Sequence, residues 1–375
     1  MKLTAARVTA LRLPLHEALA TAHGPVLARE GALLEIEAQD GARGWGEALP
    51  LPGFDLESAD AAANALVAAC RRLVGAEIGE PDEALAAAAR DLAAAPAARA
   101  ALDTAWRDCR ARAAGTTLAA HLAAERDRTP RTAVETGTLL AGNTADDVAR
   151  AAQSALAAGF RTLKLKVGSL AFERDRERVA AARRAAPRAA LRLDANGAWS
   201  ESDAARHIDA LAAIEPELLE QPVAFDALDA MARLRELAPF PLAADEAVRD
   251  LAGAHRLLRA GAADVLVLKP AAIGGPGATA AIAAAAREAD VAVLVTTFLD
   301  GAIGRCAALH VAASLPASAY AAGLATGALL ADDLAHTADP AAGELCVPSD
   351  GGLGVTPEPQ ALARLATAPS REVRT

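Results

Sequence analysis

Acidic and basic residues end a series of short apolar runs at nearly even intervals along the chain. The acids are Asp194, Glu220 and Asp245, and Lys166 and Lys269 precede and follow them. Successive members of this series lie 24 to 28 residues apart. A strand, a helix of ten or more residues and two short loops need about that length. The spacing therefore predicts a repeated βα unit that delivers one polar group per repeat to a common site.

The three acids offer the oxygen ligands that a hard divalent cation prefers. Mg²⁺ takes an octahedral oxygen shell, with Mn²⁺ as an alternative, and three carboxylates leave positions open for substrate and water. Without a cation, three neighbouring carboxylates repel one another and one of them takes up a proton. A single acid after a strand is more often the N-cap of the next helix. Three acids on successive units favour a metal site formed by Asp194, Glu220 and Asp245.

The lysines indicate acid–base chemistry beside that metal site. Residues 163–167 alternate apolar and basic side chains, so Lys164 and Lys166 share the face that lines the inside of a barrel. Lysine inside a barrel is costly unless it has a charged partner or a chemical role. Lys269 ends a run on the other side of the acids. Lysines on both sides of a metal-bound carboxylate indicate removal of the proton next to that carboxylate.

Eight short β-like runs, separated by Ala-rich helical segments, predict a closed (β/α) barrel of the TIM type. The runs are 132–140, 162–167, 190–194, 218–220, 241–245, 265–269, 291–297 and 321–325.

The first third of the chain predicts an α+β capping domain. Residues 2–13 and 32–38 alternate like antiparallel strands, a Gly/Pro-rich turn region follows at 41–53, and a helical region spans 58–123 with breaks at 75–81 and 95–96. We therefore expect a capping domain over residues 1–125 and a catalytic barrel over 126–335. Residues 336–375 should return to the capping domain.

Composition excludes several classes of function. The net charge is −10, with 38 basic and 48 acidic residues and no basic cluster, so nucleic acid is not expected as a partner. The uncharged stretch 306–331 contains Pro316 and is mostly Ala, which argues against a membrane span. No signal peptide and no cysteine framework are visible, so a cytoplasmic location is expected. A homo-oligomer is compatible with these data.

The order of the motifs resembles the muconate-lactonizing branch of the enolase superfamily. The matching strings are KLK (164–166), DAN (194–196), EQP (220–222), DE (245–246) and KP (269–270). The resemblance implies that Lys166 is the catalytic base, that Lys269 faces it across the metal, and that the three acids are the metal ligands. It assigns supporting roles to Lys164, Asn196 and Glu246.

Within this branch, several strings are similar to o-succinylbenzoate synthases. They are GWGE (44–47), PLPGF (50–54), RLDAN (192–196) and TTFLDG (296–301). This similarity implies a lyase that abstracts the proton alpha to a carboxylate, then eliminates water to give 2-succinylbenzoate for menaquinone biosynthesis. It makes four residues candidate contacts of a small-molecule carboxylate substrate: Arg192, Thr297, Asp300 and Gly323. Capping loops at 18–29 and 49–54 would choose the substrate.

The residue set leaves other reactions open. N-succinylamino-acid racemases, dipeptide epimerases and muconate cycloisomerases share the same lysines and acids. The run at 323–326 lacks the Asp-x-Asp that binds the ammonium group of a dipeptide. A Schiff-base aldolase would leave the three acids unused, and a non-enzymatic barrel would leave both lysines and acids without a purpose.

Overall fold

The computed structural model describes residues 1–21, 24–52, 54 and 57–375. The strands, in chain order, are β1 Leu3–Thr21, β2 Gly24–Ala38, β3 Arg43–Ala48, β4 Ala133–Glu135, β5 Thr138–Leu140, β6 Thr162–Lys166, β7 Ala190–Asp194, β8 Leu218–Glu220, β9 Leu242–Ala244, β10 Val265–Leu268, β11 Ala292–Val295, β12 Glu344–Cys346 and β13 Arg371–Arg374. The helices are α1 Ala59–Leu73, α2 Pro81–Ala87, α3 Ala89–Leu92, α4 Pro96–Ala113, α5 Leu118–Ala124, α6 Ala145–Ala157, α7 Phe172–Ala185, α8 Glu201–Leu211, α9 Leu228–Leu237, α10 Leu251–Ala260, α11 Pro276–Glu288, α12 Ala302–Ser314 and α13 Pro359–Leu365.

The N-terminal part of the chain forms an antiparallel sheet covered by helices. In the described ranges the strand order is β13-β1-β2-β3. Apart from Lys2, the alternating residues predicted as strands lie within β1 and β2; β1 continues past residue 13 to Thr21, and β2 begins before residue 32, at Gly24. One face of the sheet packs against α1 and α4, and the shared core includes Leu34, Leu66, Leu102 and Trp106. The predicted α+β cap is confirmed.

The prediction of a turn region over 41–53 is wrong for residues 43–48, which form strand β3. Glycines in a strand signal a close approach of another backbone as well as a turn. A Cβ atom on Gly44 would lie 2.0 Å from the carbonyl oxygen of Ala105, and one on Gly46 would lie 1.8 Å from that of Ala101. Both glycines therefore let helix α4 pack directly onto the strand.

The second sheet is the barrel. Among the described residues, seven parallel strands follow one another in the order β11-β10-β9-β8-β7-β6-β5. The eighth predicted run, 321–325, forms two isolated parallel bridges instead of a regular strand. Ala322 N donates to Glu135 O at 2.8 Å and Gly323 N donates to Val295 O at 2.9 Å, so this segment joins the two edges of the sheet. The predicted barrel is confirmed, with a shorter eighth strand.

Segments after the barrel return to earlier parts of the chain. The first predicted barrel run divides into β4 and β5, and β4 pairs with β12 in antiparallel register. Strand β13 pairs with β1, from Ala5 opposite Arg374 to Val8 opposite Arg371. The division of the chain at residues 125 and 335 stays a prediction. Within the described ranges no helix is long and apolar enough to cross a membrane.

Candidate active site

The parallel register of the barrel brings the predicted acids to one end. In β6, β7 and β8, Lys166 lies opposite Asp194, which lies opposite Glu220. Asp245 follows β9 directly, so it reaches the same end from the next strand. All three carboxylates are buried, and each offers a ligand oxygen within 4.8 Å of the others. The carboxyl ends of the strands thus form a compact acidic centre, where barrel active sites lie.

Two lysines neutralise part of this acidic centre. Lys164 Nζ lies 2.8 Å from Asp194 Oδ2 and also contacts Glu220 Oε2. Lys269 Nζ lies 2.6 Å from Asp245 Oδ1 and 2.8 Å from Oδ2. Burial raises the pKa of Glu220 to about 6, against the effect of Lys164. Burial also acts to raise the pKa of Asp194, but Lys164 and Lys166 outweigh it and hold that pKa below its usual value.

The donor set fits a divalent cation. Burying ionised carboxylates is favourable only when positive charge faces them, and three of them here converge on one point. Hard oxygen ligands of this kind suit cations such as Mg²⁺ or Mn²⁺. Asp194, Glu220 and Asp245 are the residues that would hold the ion.

Lys166 differs from the other two lysines in its surroundings. It is half-buried on the same barrel face as Lys164. Among the described residues, no carboxylate oxygen lies within 4.0 Å of its ammonium group. Its backbone carbonyl accepts a hydrogen bond from Arg178 Nη1 at 3.1 Å, which holds the end of β6 in place. Lys166 therefore has no ion-pair partner within 4.0 Å in the described ranges, which leaves its nitrogen available for proton transfer.

Lys269 is kept as a cation. Burial acts to lower the pKa of Lys269, but the charges of Asp245 and Glu246 outweigh it and raise that pKa. Its ammonium group lies 4.6 Å from the ring centroid of Phe54 and 5.3 Å from that of Phe298. The two rings contact each other edge to face with centroids 4.5 Å apart. A residue of the cap and a residue of the barrel together cover this lysine.

Asn196 and Glu246 form hydrogen bonds next to the acidic centre. Asn196 N donates to Asp194 Oδ1 at 3.0 Å, and its side-chain amide donates to Glu246 Oε1 at 2.8 Å. The backbone of Asn196 is left-handed, with φ of 45°, which asparagine tolerates better than most residues. Burial and the neighbouring Asp245 raise the pKa of Glu246 to about 7. The supporting roles of both residues in catalysis stay predictions.

Gln221 is a positioning residue that the sequence did not single out. Its Oε1 accepts from the backbone amides of Asp245 at 3.0 Å and Ala247 at 3.3 Å, and its Nε2 donates to Val223 O at 2.9 Å. Gln221 therefore ties the end of the fourth barrel strand to the loop that carries Asp245. The EQP string contained the signal, but only Glu220 had been given a role.

The predicted substrate contacts lie in different places. Arg192 lies in β7 on the N-terminal side of Asp194, where its guanidinium binds Glu217 Oε2 at 2.5 Å and Ala321 O at 2.7 Å. These partners precede the strands, so the position of Arg192 at the opposite end does not support substrate contact. Thr297 Oγ1 bonds with Thr326 Oγ1 at 2.8 Å, close to Gly323.

Asp300 shapes a loop next to Lys269. Asp300 is buried, and its Oδ2 accepts from Phe298 N at 2.9 Å, so it shapes the loop that carries this ring. Contact of Thr297, Asp300 or Gly323 with substrate stays a prediction. Of the loops predicted to choose the substrate, Ala22, His23 and Gly53 lie outside the described residues.

The fold and the site together define a capped βα barrel with an acidic centre compatible with a divalent cation and flanked by lysines. Residues 147–361 match the family "Enolase C-terminal domain-like". Residues 3–122 match the N-terminal domain of the mandelate racemase / muconate lactonizing enzyme family. The chain therefore belongs to the enolase superfamily, in the mandelate racemase and muconate lactonizing enzyme group.

Individual relatives carry several activities. The o-succinylbenzoate synthase of Mycobacterium ulcerans is 42% identical over 219 residues, which are 57% of this chain and 62% of that protein. The muconate lactonizing enzyme of Pseudomonas fluorescens, solved with muconolactone, is 27% identical with a TM-score of 0.91 over 97% of this chain and 99% of its own. A dipeptide epimerase of Enterococcus faecalis, solved with Mg and L-Leu-L-Tyr, is 28% identical with a TM-score of 0.88 over 94% and 99%.

Proposed function

We propose that the protein is an o-succinylbenzoate synthase. It would remove the proton alpha to the carboxylate of a succinylated hydroxycyclohexadiene and eliminate water in the syn sense, giving 2-succinylbenzoate for menaquinone biosynthesis. The observation that carries this proposal is an acidic centre between two lysines: Lys166 pairs with Asp194 in the strand register and has no carboxylate oxygen within 4.0 Å among the described residues, whereas Lys269 forms an ion pair with Asp245. The 42% identity to a synthase supports the choice of reaction.

Each residue has a definite part in this reaction. Asp194, Glu220 and Asp245 would hold Mg²⁺, with Mn²⁺ as an alternative, and the bound cation would stabilise negative charge on the substrate carboxylate. Lys166 would accept the ring proton and then donate it to the departing hydroxyl group on the same face. Lys269, whose pKa is raised by Asp245 and Glu246, would stay protonated and stabilise the charge from the other side.

Racemisation or epimerisation is the second candidate function. It would need two groups that exchange protons on opposite faces of the substrate, and the chain has a lysine on each side of the acidic centre. The similarity to a dipeptide epimerase structure favours it as well. Against it stands Lys269, which is held as an ion pair with Asp245 and is therefore a poor proton acceptor. Cycloisomerisation is the third member of this set. A cytoplasmic location, a small-molecule carboxylate as the partner and a homo-oligomeric state stay predictions.

The test compares turnover of three substrate types by the purified protein with Mg²⁺ and with EDTA. They are the succinylated cyclohexadiene, N-succinyl amino acids and dipeptides. We expect dehydration to exceed racemisation, and Lys166→Ala to lower dehydration by about 10³-fold or more because the same group acts as base and acid. Lys2→Ala, on the surface of the cap, is the matched control and should be fully active. Substantial turnover by Lys166→Ala would refute the role of the base, and faster racemisation would favour the second candidate.

A further inference from the structure

An arginine lies at the barrel mouth near two aromatic rings. Arg249 belongs to the loop that follows Asp245, and its guanidinium carbon lies 4.2 Å from the ring centroid of Phe225 and 5.8 Å from that of Phe54. Phe54 is also the ring above which Lys269 lies, at 4.6 Å. Arg249 and Lys269 therefore both lie near the Phe54 ring, and the guanidinium carbon and the ammonium nitrogen can be no farther apart than the sum of their distances from its centroid.

The contacts of Arg249 hold it in place and leave its end free for a ligand. Its Nε donates to Glu246 O at 3.3 Å, and its guanidinium carbon lies over the ring of Phe225. Neither terminal nitrogen has a hydrogen-bond partner in the described ranges, and no carboxylate there lies within 4.0 Å. A guanidinium group that lies over an aromatic ring can still donate from its terminal N–H groups to a planar anion. Phe225 is 45% exposed and Arg249 is half-buried, so solvent reaches this pair of side chains.

The other cations near the mouth of the barrel already have partners or roles. Arg29 is 1% exposed and donates to the backbone carbonyls of Pro50 and Leu299, so it joins the cap to the barrel loop. Lys164 and Lys269 are paired with the acidic centre, and Lys166, which has no such partner in the described ranges, is the group assigned to proton transfer. A second anionic group on the substrate would therefore meet Arg249, whose guanidinium carbon lies 5.8 Å from the ring centroid of Phe54.

We infer that Arg249 binds the distal carboxylate of the substrate and so determines a preference for dicarboxylates over monocarboxylates. One carboxylate would lie at the acidic centre and the other at Arg249, with the body of the substrate against Phe54 and Phe298. This inference rests on the proposed function for the position of the first carboxylate. Binding at Arg249 would favour succinylated substrates, which have a distal carboxylate, over dipeptides, whose ammonium group Arg249 would repel.

The test measures binding in the presence of Mg²⁺, without turnover. Calorimetry compares 2-succinylbenzoate with 2-butanoylbenzoate, which keeps the ring and its carboxylate but lacks the distal one. N-succinylphenylalanine and N-butanoylphenylalanine form a second pair on a different body. The wild type should bind the dicarboxylate of at least one pair about 10- to 100-fold more tightly, as a charge-assisted pair predicts. Arg249→Met should remove this preference, and Arg249→Lys should keep part of it.

The possible results of this binding experiment lead to different conclusions about Arg249. A wild type that shows no preference in either pair would overturn the inference, as would an Arg249→Met variant that keeps the preference. Equal loss of affinity for both members of a pair would show that Arg249 only supports the aromatic wall, which also overturns it. Retained binding of the monocarboxylates shows that the variant is folded. A wild type that prefers dicarboxylates but does not dehydrate the cyclohexadiene would refute the proposed function and leave this inference standing.

Discussion

Replacement of Lys164 by methionine tests whether the acidic centre is held together by positive charge. The Lys164 ammonium group contacts Asp194 and Glu220, whose side chains are 2% and 1% exposed. Methionine fills a similar volume but leaves both carboxylates without this partner. Removal of one partner of a buried ion pair costs about 3–5 kcal/mol, since the remaining charge is left without compensation. We therefore expect Lys164→Met to lower the free energy of unfolding by roughly that amount when no divalent cation is present.

Mg²⁺ should reduce this loss because it would supply positive charge to the same carboxylates. A ligand at 100 times its dissociation constant stabilises the folded state by about 2.7 kcal/mol. The variant lacks the competing ammonium group, so its response to Mg²⁺ should exceed that of the wild type. Urea unfolding at pH 7, with EDTA and with Mg²⁺, measures both quantities.

Lys2→Met is the matched control, since it removes an exposed lysine from the cap. It should change stability by less than about 0.5 kcal/mol under both conditions. Equal stability of Lys164→Met and the wild type in EDTA would refute the electrostatic argument. An identical response of the two proteins to Mg²⁺ would show that Lys164 and the cation do not act on the same charges.

Two further predictions concern the cap. Gly46→Ala should prevent stable folding because its Cβ would overlap the carbonyl oxygen of Ala101. Gly41 has open space around it, so Gly41→Ala should lose only about 1 kcal/mol of stability to backbone strain. Circular dichroism and thermal melting compare the two variants. Burial raises the pKa of Glu47 to about 8, so the folded protein binds a proton that the unfolded chain releases above about pH 4.5. The free energy of unfolding of the wild type should therefore fall between pH 5 and 8, by at most about 1.4 kcal/mol per pH unit. Glu47→Gln should abolish the part of this pH dependence that Glu47 causes, as measured by urea titrations at several pH values. An unchanged pH dependence in the variant would contradict the role of Glu47.

The barrel and its acidic centre could be predicted because each rests on a short repeating pattern. A polar group every 24 to 28 residues specifies both the βα unit and the end of the strand at which the group lies. In β6 the alternation of Leu163, Lys164, Leu165 and Lys166 was enough to assign two lysines to the inner face. Patterns of this kind depend on local geometry, which can be inferred directly from the order of the residues.

The features that escaped prediction depend on contacts between distant segments. Gly44 and Gly46 indicated a turn because sequence alone does not show that α4 packs against them. Phe54 lies in a string typical of a turn, and only the folded cap brings its ring to Lys269. Arg192 has the right side chain and the right strand for a substrate contact. Its depth along the strand places it with Glu217 at the other end.

The pairing of β1 with β13 has a consequence for the order in which the molecule folds. Arg7 bonds with Glu372 across a sequence separation of 365 residues, so the whole barrel lies between two adjacent strands of one sheet. Contacts of such long range form late, because closing a long loop is entropically costly until the intervening chain is compact. The edge of β1 should therefore stay unpaired in folding intermediates. It should gain protection from hydrogen exchange only in the last step, after the barrel has formed.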